Sequence, residues 1–247
     1  MTQGSAGRED DVVAPYSSRG PSWYDGFAKP DLVAPGHRLA SDTHTNSYLY
    51  TKLTSSHVEA ANGQPLLMLS GTSMAAAVTS GVVALVLDAH QRLPGEQPPL
   101  TPNLVKSILE YTAVAVHANR PDDASTADPG TMADYLTAGA GEVNAGGAVQ
   151  LVSAIDTSRP VDSWWLVNSV TPSTSIGGTE AEWSKRVIWN DTVLGGDVVY
   201  QNNIIWGTNI IWGTNIIWGT YYEDFYNIIW GTNIIWGTNI IWGTNII

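Results

Sequence analysis

The chain contains no cysteine among its 247 residues, so disulfides and thiolate metal sites are both excluded. Without thiols the sequence leaves the redox compartment open. Positive charge is scarce as well: 11 Lys and Arg stand against 23 Asp and Glu, a net charge of −12. Nucleic acids and anionic membranes are bound through clustered cations that displace counterions, so neither is expected as a partner. No apolar run approaches the roughly 20 residues that cross a bilayer, and no membrane span is expected. The opening residues, Met1 to Asp11, offer no basic stretch followed by an apolar one, so they do not read as a signal peptide.

What is present is enough for a sizeable core. Hydrophobic residues make up 43% of the chain, and its length suits one large domain or two smaller ones. Three segments differ in texture. Residues 1–152 read as a mixed α/β domain, with short apolar runs bounded by Pro and Gly, such as Asp31 to Gly36. Within it, Met74 to His90 is Ala, Val and Leu on nearly every side, the pattern of a central buried helix; Gly81 would admit a close neighbour. A second helix is expected after Thr101, an N-cap followed by Pro102 at the first helical position, with Leu104, Val105, Ile108 and Leu109 on one side. Gly139 to Val152 suggests a short strand turning into a last helix. Residues 153–184 read as a linker rich in Ser, Thr, Pro and Gly, whose paired Trp164 and Trp165 are expected to pack back onto the preceding domain.

Residues 185–247 form a repeat. From Asn203 the unit Asn-Ile-Ile-Trp-Gly-Thr recurs with a period of six, interrupted by Tyr221 to Tyr226. An even period keeps the same side chains on the same face of a strand, and Gly-Thr-Asn offers a turn between short strands. Stacking of such units into a β-solenoid is one expectation. With Glu223 and Asp224 the only charges after Gln201, self-association is another.

Chemistry gathers around Ser73, between Gly71-Thr72 and the small-residue helix. A serine at the first turn of a helix offers its own amide and the positive helix end to a developing oxyanion, and Gly71 leaves room for a substrate carbonyl. Spacing alone equally fits a serine N-cap on a core helix.

Gly71 to Gly81, Gly-Thr-Ser-Met-Ala and onward, resembles the serine motif of the subtilisin-like serine peptidases. Tyr16 to Ser22 is similar to the family's Phe-Ser-Ser-Xaa-Gly-Pro stretch, and Lys29 to Gly36 to its Lys-Pro-Asp-Val-Xaa-Ala-Pro-Gly stretch. The helix after Thr101 and the Gly-Xaa-Gly-Xaa-Val-Asn-Ala segment at Gly139 follow in the family's order, so the resemblance covers roughly residues 11 to 152. It implies a subtilisin-like parallel sheet with helices on both faces and peptide-bond hydrolysis. Ser73 would then be the acylating nucleophile and an oxyanion donor, with Met74 beside the leaving group. Polypeptide substrates, no cofactor and a secreted or cell-surface location are implied in the same way. Ala77 stands where the family most often has proline; so early in a helix, the exchange should be tolerated.

The family's aspartate, histidine and oxyanion asparagine motifs (Asp-Ser/Thr-Gly, His-Gly-Thr and Ala-Gly-Asn) are all absent. The five histidines, His37, His44, His57, His90 and His117, lack the Gly-Thr context, and surface positions are expected for them. Asp31 lies in a stretch that is structural in the family. The expectation is therefore a fragment, the C-terminal half of a catalytic domain, nearly inactive by itself because a triad works as a unit. Asp122, Asp123, Asp128 and Asp134 lack the alternating spacing of a calcium loop and read as a solvated loop. The rival reading is a non-catalytic surface or assembly protein acting through the repeat.

Overall fold

The computed structural model describes residues 11–24, 26–116, 132–159, 165–189 and 192–195. In chain order these form β1 (Leu39–Asp42), α1 (Tyr48–Lys52), a 3-10 turn (Thr54–Ser56), β2 (His57–Glu59), β3 (Pro65–Leu69) and α2 (Thr72–Gln91). Then come α3 (Pro102–Tyr111), α4 (Met132–Ala138), α5 (Ala145–Val152), β4 (Ser173–Ile176), β5 (Thr179–Glu182), β6 (Arg186–Trp189) and β7 (Thr192–Gly195).

Local chemistry explains the two core helices. The Thr101 hydroxyl accepts a hydrogen bond from the Leu104 amide at 3.2 Å, and Pro102 sits where a missing N–H costs nothing. From there Leu104, Val105, Ile108, Leu109 and Tyr111 turn inward and are buried. Asn144 caps α5 in the same way, accepting from the Gly147 amide at 3.0 Å. Val82 and Val86 of α2, the apolar side of α3, and Ala148, Leu151 and Val152 of α5 share one core.

α2 departs from expectation in two respects. It was expected to be buried all round, yet only Val82, Val86 and His90 are buried, while Leu85 remains 51% exposed. Ser73, Ala76, Ala77, Ser80, Gly81 and Ala84 are exposed too. Its composition is apolar all round, but neighbours among the described residues cover a single stripe. Second, it is 20 residues long and contains an 18-residue window of mean hydropathy 1.6, by length and composition alone enough to cross a membrane, which corrects the expectation that no run approaches that length. Thr79 and Ser80 interrupt the apolar run in sequence. In the helix their hydroxyls donate to the carbonyls of Ala75 and Ala76, at 3.0 and 2.9 Å, and break nothing.

The sheets also differ from the expected parallel sheet. Among the described residues the three sheets are antiparallel: β1-β3-β2, the hairpin β4-β5 and the hairpin β6-β7. Among the described residues parallel pairing is limited to a single bridge, Val33 with Glu142. Antiparallel neighbours need only short connections, whereas a parallel sheet needs a crossover between each pair of strands. The described part is thus one of mixed helices and small sheets, consistent with part of an α/β domain. The repeat from Asn203 onward lies outside the described residues.

Residues 165–188 do not trail away from the core. Trp165, Leu166, Trp183 and Val187 are buried in it, as the linker aromatic at 165 was expected to be; Trp164 lies outside the described residues. β4 and β5 are joined by Gly177 and Gly178, both at positive φ (60° and 86°), the geometry that two-residue hairpin turns require. Trp183 packs edge-on against Tyr111 with centroids 6.2 Å apart. Its indole N–H donates to the Thr174 hydroxyl at 2.8 Å, which also accepts from the Asn144 side-chain amide at 3.0 Å.

Candidate active site

Ser73 is placed by the junction of β3 with α2. β3 pairs with β1 in the register Leu39 to Leu69, which delivers the chain to Ser70 and Gly71 beside the stretch ending at Gly36. There the Gly71 amide donates to the Gly36 carbonyl at 2.8 Å, and the Arg38 amide donates to the Ser70 hydroxyl at 2.8 Å. The approach is close enough to require glycine: a Cβ at Gly36 would lie 2.8 Å from the Gly71 carbonyl oxygen and 3.0 Å from the Ala75 Cβ. Gly71 is the N-cap of α2 and accepts the amides of Met74 and Ala75 at 3.1 and 3.3 Å.

Ser73 is therefore the second residue of the helix and not its cap. It is exposed, and its amide belongs to the first turn, whose N–H groups have no partner within the helix. An exposed hydroxyl beside such an amide, at the positive end of a 20-residue helix, suits attack on a carbonyl and stabilisation of the resulting oxyanion. Beside the helix head lies a cavity of about 450 Å³, bordered by Val33, Gly36, Gly71, Thr72 and Ala75.

Each described histidine makes its recorded contact with a group other than Ser73. His44 accepts from the Asn46 amide at 3.2 Å. His57 stacks on Tyr50 with centroids 3.6 Å apart and contacts the Tyr50 carbonyl at 2.6 Å. His90 sits at the other end of α2, roughly 25 Å from Ser73 at 1.5 Å per residue. It is buried rather than at the surface, within 3.2 Å of the Thr157 hydroxyl, and burial lowers its proton affinity. His37 follows Gly36, whose carbonyl accepts the Gly71 amide, and borders the cavity, but its Nδ1 lies 3.3 Å from the Tyr16 hydroxyl, which donates to the Gly36 carbonyl at 3.2 Å. Sequence reasoning did not foresee this Tyr16–His37 pairing; the adjoining Tyr-Ser-Ser-Arg-Gly-Pro and Ala-Pro-Gly stretches were its only signal. His117 lies outside the described residues.

Asp88 and Asp31 are engaged elsewhere. Asp88 is paired with Arg92 at 2.8 Å. Asp31 lies between Lys29 at 2.7 Å and Lys106 at 2.6 Å. Burial pushes its carboxyl up, but the hydrogen bonds from Lys106 and Lys29 outweigh that and hold it below the usual range. Asp122, Asp123 and Asp128 lie outside the described residues, as does the side chain of Asp134. No three acidic or imidazole side chains converge among the described residues.

Comparison with known proteins adds to this geometry. The sequence model of the subtilase family matches residues 4–135, just over half of the chain. The chain belongs to the subtilase family. It is 37% identical over 145 residues to the serine protease AprX of Bacillus subtilis, covering 59% of this chain and 27% of AprX. Subtilisin-like protease SBT3.8 of Arabidopsis thaliana is 32% identical over 133 residues, covering 53% of this chain and 15% of the relative. Subtilisin-like protease SBT1.3 of the same plant is 36% identical over 137 residues, with 54% and 16% covered. This subtilase chain thus spans little more than a quarter of AprX and less of the plant proteases; the residues that the family model matches include Ser73.

Proposed function

We propose that the protein is a subtilisin-type serine endopeptidase whose acyl-enzyme forms on Ser73. The observation that carries this reading is the exposed Ser73 hydroxyl on the first turn of α2, within Gly-Thr-Ser-Met-Ala and beside a glycine-lined approach. In the reaction the Ser73 oxygen attacks the scissile carbonyl while its proton passes to a histidine, and that histidine then protonates the leaving amine. Water hydrolyses the ester by the reverse sequence. The Ser73 amide and the positive end of α2 stabilise the oxyanion at both stages. No step needs a cofactor, and the substrates are polypeptides met outside the cell or at its surface.

The histidine, its aspartate and the second oxyanion donor belong, in this reading, to residues other than these 247. The absence of their motifs and the separate engagement of the described histidines support that. The chain alone is then a poor peptidase, retaining only what one amide and a helix end provide. Replacing Ser73 by Ala in the complete protein tests the proposal: peptidase activity should vanish with folding unchanged, and undiminished activity would refute it. The hexapeptide repeat favours a second reading, a non-catalytic assembly protein. Under that reading the same substitution leaves every measurable property intact and deletion of 197–247 abolishes association.

A further inference from the structure

Where the C-terminal hairpins meet α3, a single carboxyl is enclosed. Glu110, in the last turn of α3, is fully buried. Its Oε2 accepts the Ile188 amide of β6 at 3.0 Å, and its Oε1 has no hydrogen-bond partner. The ammonium of Lys106, one turn back, lies 3.6 Å from Oε1 but sits closer to Asp31, at 2.6 Å. Around this carboxyl the two backbones are fastened together. The Ser184 hydroxyl donates to the Glu110 carbonyl at 3.1 Å, and the Ser184 and Lys185 amides donate to the Ala113 and Tyr111 carbonyls at 2.7 and 3.0 Å.

We propose that Glu110 is a proton-dependent latch: neutral, it holds β6, and with it the strand pair from which the chain continues toward the Trp-Gly-Thr repeat, against α3; ionised, it loosens that hold. A buried carboxylate is tolerated only with a dedicated counter-charge, and here the available ammonium is shared with Asp31. Opening the contact admits water to the carboxyl, so the ionised form favours the open state.

The charged surroundings set the direction. Lys106 faces Glu110 from α3, and Asp31 and Lys29 from the stretch beside it. On β6 and the turn before it the ionisable residues are Lys185 and Arg186; the Arg186 guanidinium lies 5.1 Å from the Tyr135 ring centroid of α4. α5 contributes no ionisable residue. Burial, the largest influence, pushes the Glu110 carboxyl up to about 8; Lys106 pulls it down, Asp31 pushes it up, and the Ile188 amide and Lys29 pull it down. Released into water, the group returns to the ordinary 4.5. Between these two values the closed state holds one proton more than the open one. The opening constant therefore climbs by up to about tenfold per pH unit and levels off above the higher value. The latch is tight in acid and slackens through neutrality.

Hydrogen exchange of the full chain, followed by mass spectrometry from pH 5 to 9 and corrected for intrinsic rates, tests this. Peptides containing Ile188 should lose protection by up to about tenfold per unit as far as pH 8, and Glu110→Gln, which keeps the acceptor but cannot ionise, should abolish the slope. A flat wild-type profile, an unchanged slope in the variant, or an equal slope in peptides from α2 would each overturn the latch. Should the variant fail to fold, carbon NMR of the wild-type Glu110 carboxyl decides. A titration midpoint above 6.5 supports the latch and one below it overturns it.

Discussion

α2, apolar nearly all round, and α3, apolar on one side, are treated differently by the chain. Seven of the ten residues of α3 are buried, against three of the twenty in α2. The cover of α3 comes from this chain itself: Trp165, Trp183 and Val187 close over it, and Glu110 is tied to β6. The small-residue side of α2, which runs down from Ser73, meets no such cover among the described residues. The contrast teaches that the structural and the chemical ends of this domain are built by different means. Among the described residues the α3 side is covered by this chain's own side chains and the small-residue side of α2 is not, on the same helix that would carry the nucleophile.

The largest effect that could break this division is chemical. Ser73→Ala in the complete protein should lower kcat by about six orders of magnitude, the loss the equivalent change produces in subtilisin; a peptide-substrate assay measures it, and circular dichroism should be unchanged. Next comes the closed side. Trp183→Ala removes a buried ring that touches Tyr111 and bonds Thr174, and should cost about 3–5 kcal/mol in urea unfolding of the chain. A loss within 1 kcal/mol would mean that residues 165–188 do not belong to the cooperative unit. Removing the cap with Thr101→Ala should cost about 1 kcal/mol by the same measurement, since the Leu104 amide loses its acceptor. The smallest effect belongs to the open side: Leu85→Ala should change the stability of the 247-residue chain by no more than about 0.5 kcal/mol. A cost of 2 kcal/mol there would show that the face is already covered.

These two sides also separate what was legible in the sequence from what was not. The cap and first residue of α3, Thr101 and Pro102, were readable because the Thr101 hydroxyl takes the nearby Leu104 amide; the last helix expected within Gly139 to Val152 is α5, with isolated bridges at Gly139 and Glu142 in place of the expected short strand. Ser73 stood out for the same kind of reason, a residue type at a helix start between glycine and alanines. The sequence left open whether it capped the helix, and the position of Gly71 as cap decides that. The exposure of α2 was not legible, because apolar composition tells what a helix can bury and not whether a neighbour arrives. The parallel sheet, implied by resemblance and not by any run of strands, is represented by one bridge. Residues 153–184 read as a linker because they are rich in Ser, Thr, Pro and Gly; the Gly177-Gly178 pair between Ile176 and Thr179 was a hairpin signal, and Trp183 an anchor, that composition concealed. The burial of Glu110 carried no sequence signal, since it depends on β6, distant in the chain, whose Ile188 amide it accepts.

The central claim is that Ser73 is the nucleophile and draws its base from outside these 247 residues. Treating the complete, active protein with a fluorophosphonate, which an activated serine attacks with loss of fluoride, and locating the adduct by mass spectrometry tests it most directly. The account predicts a single adduct on Ser73 in the complete protein and none in the 247-residue chain under the same conditions. An adduct on another serine, or equally fast labelling of Ser73 in the isolated chain, would contradict it.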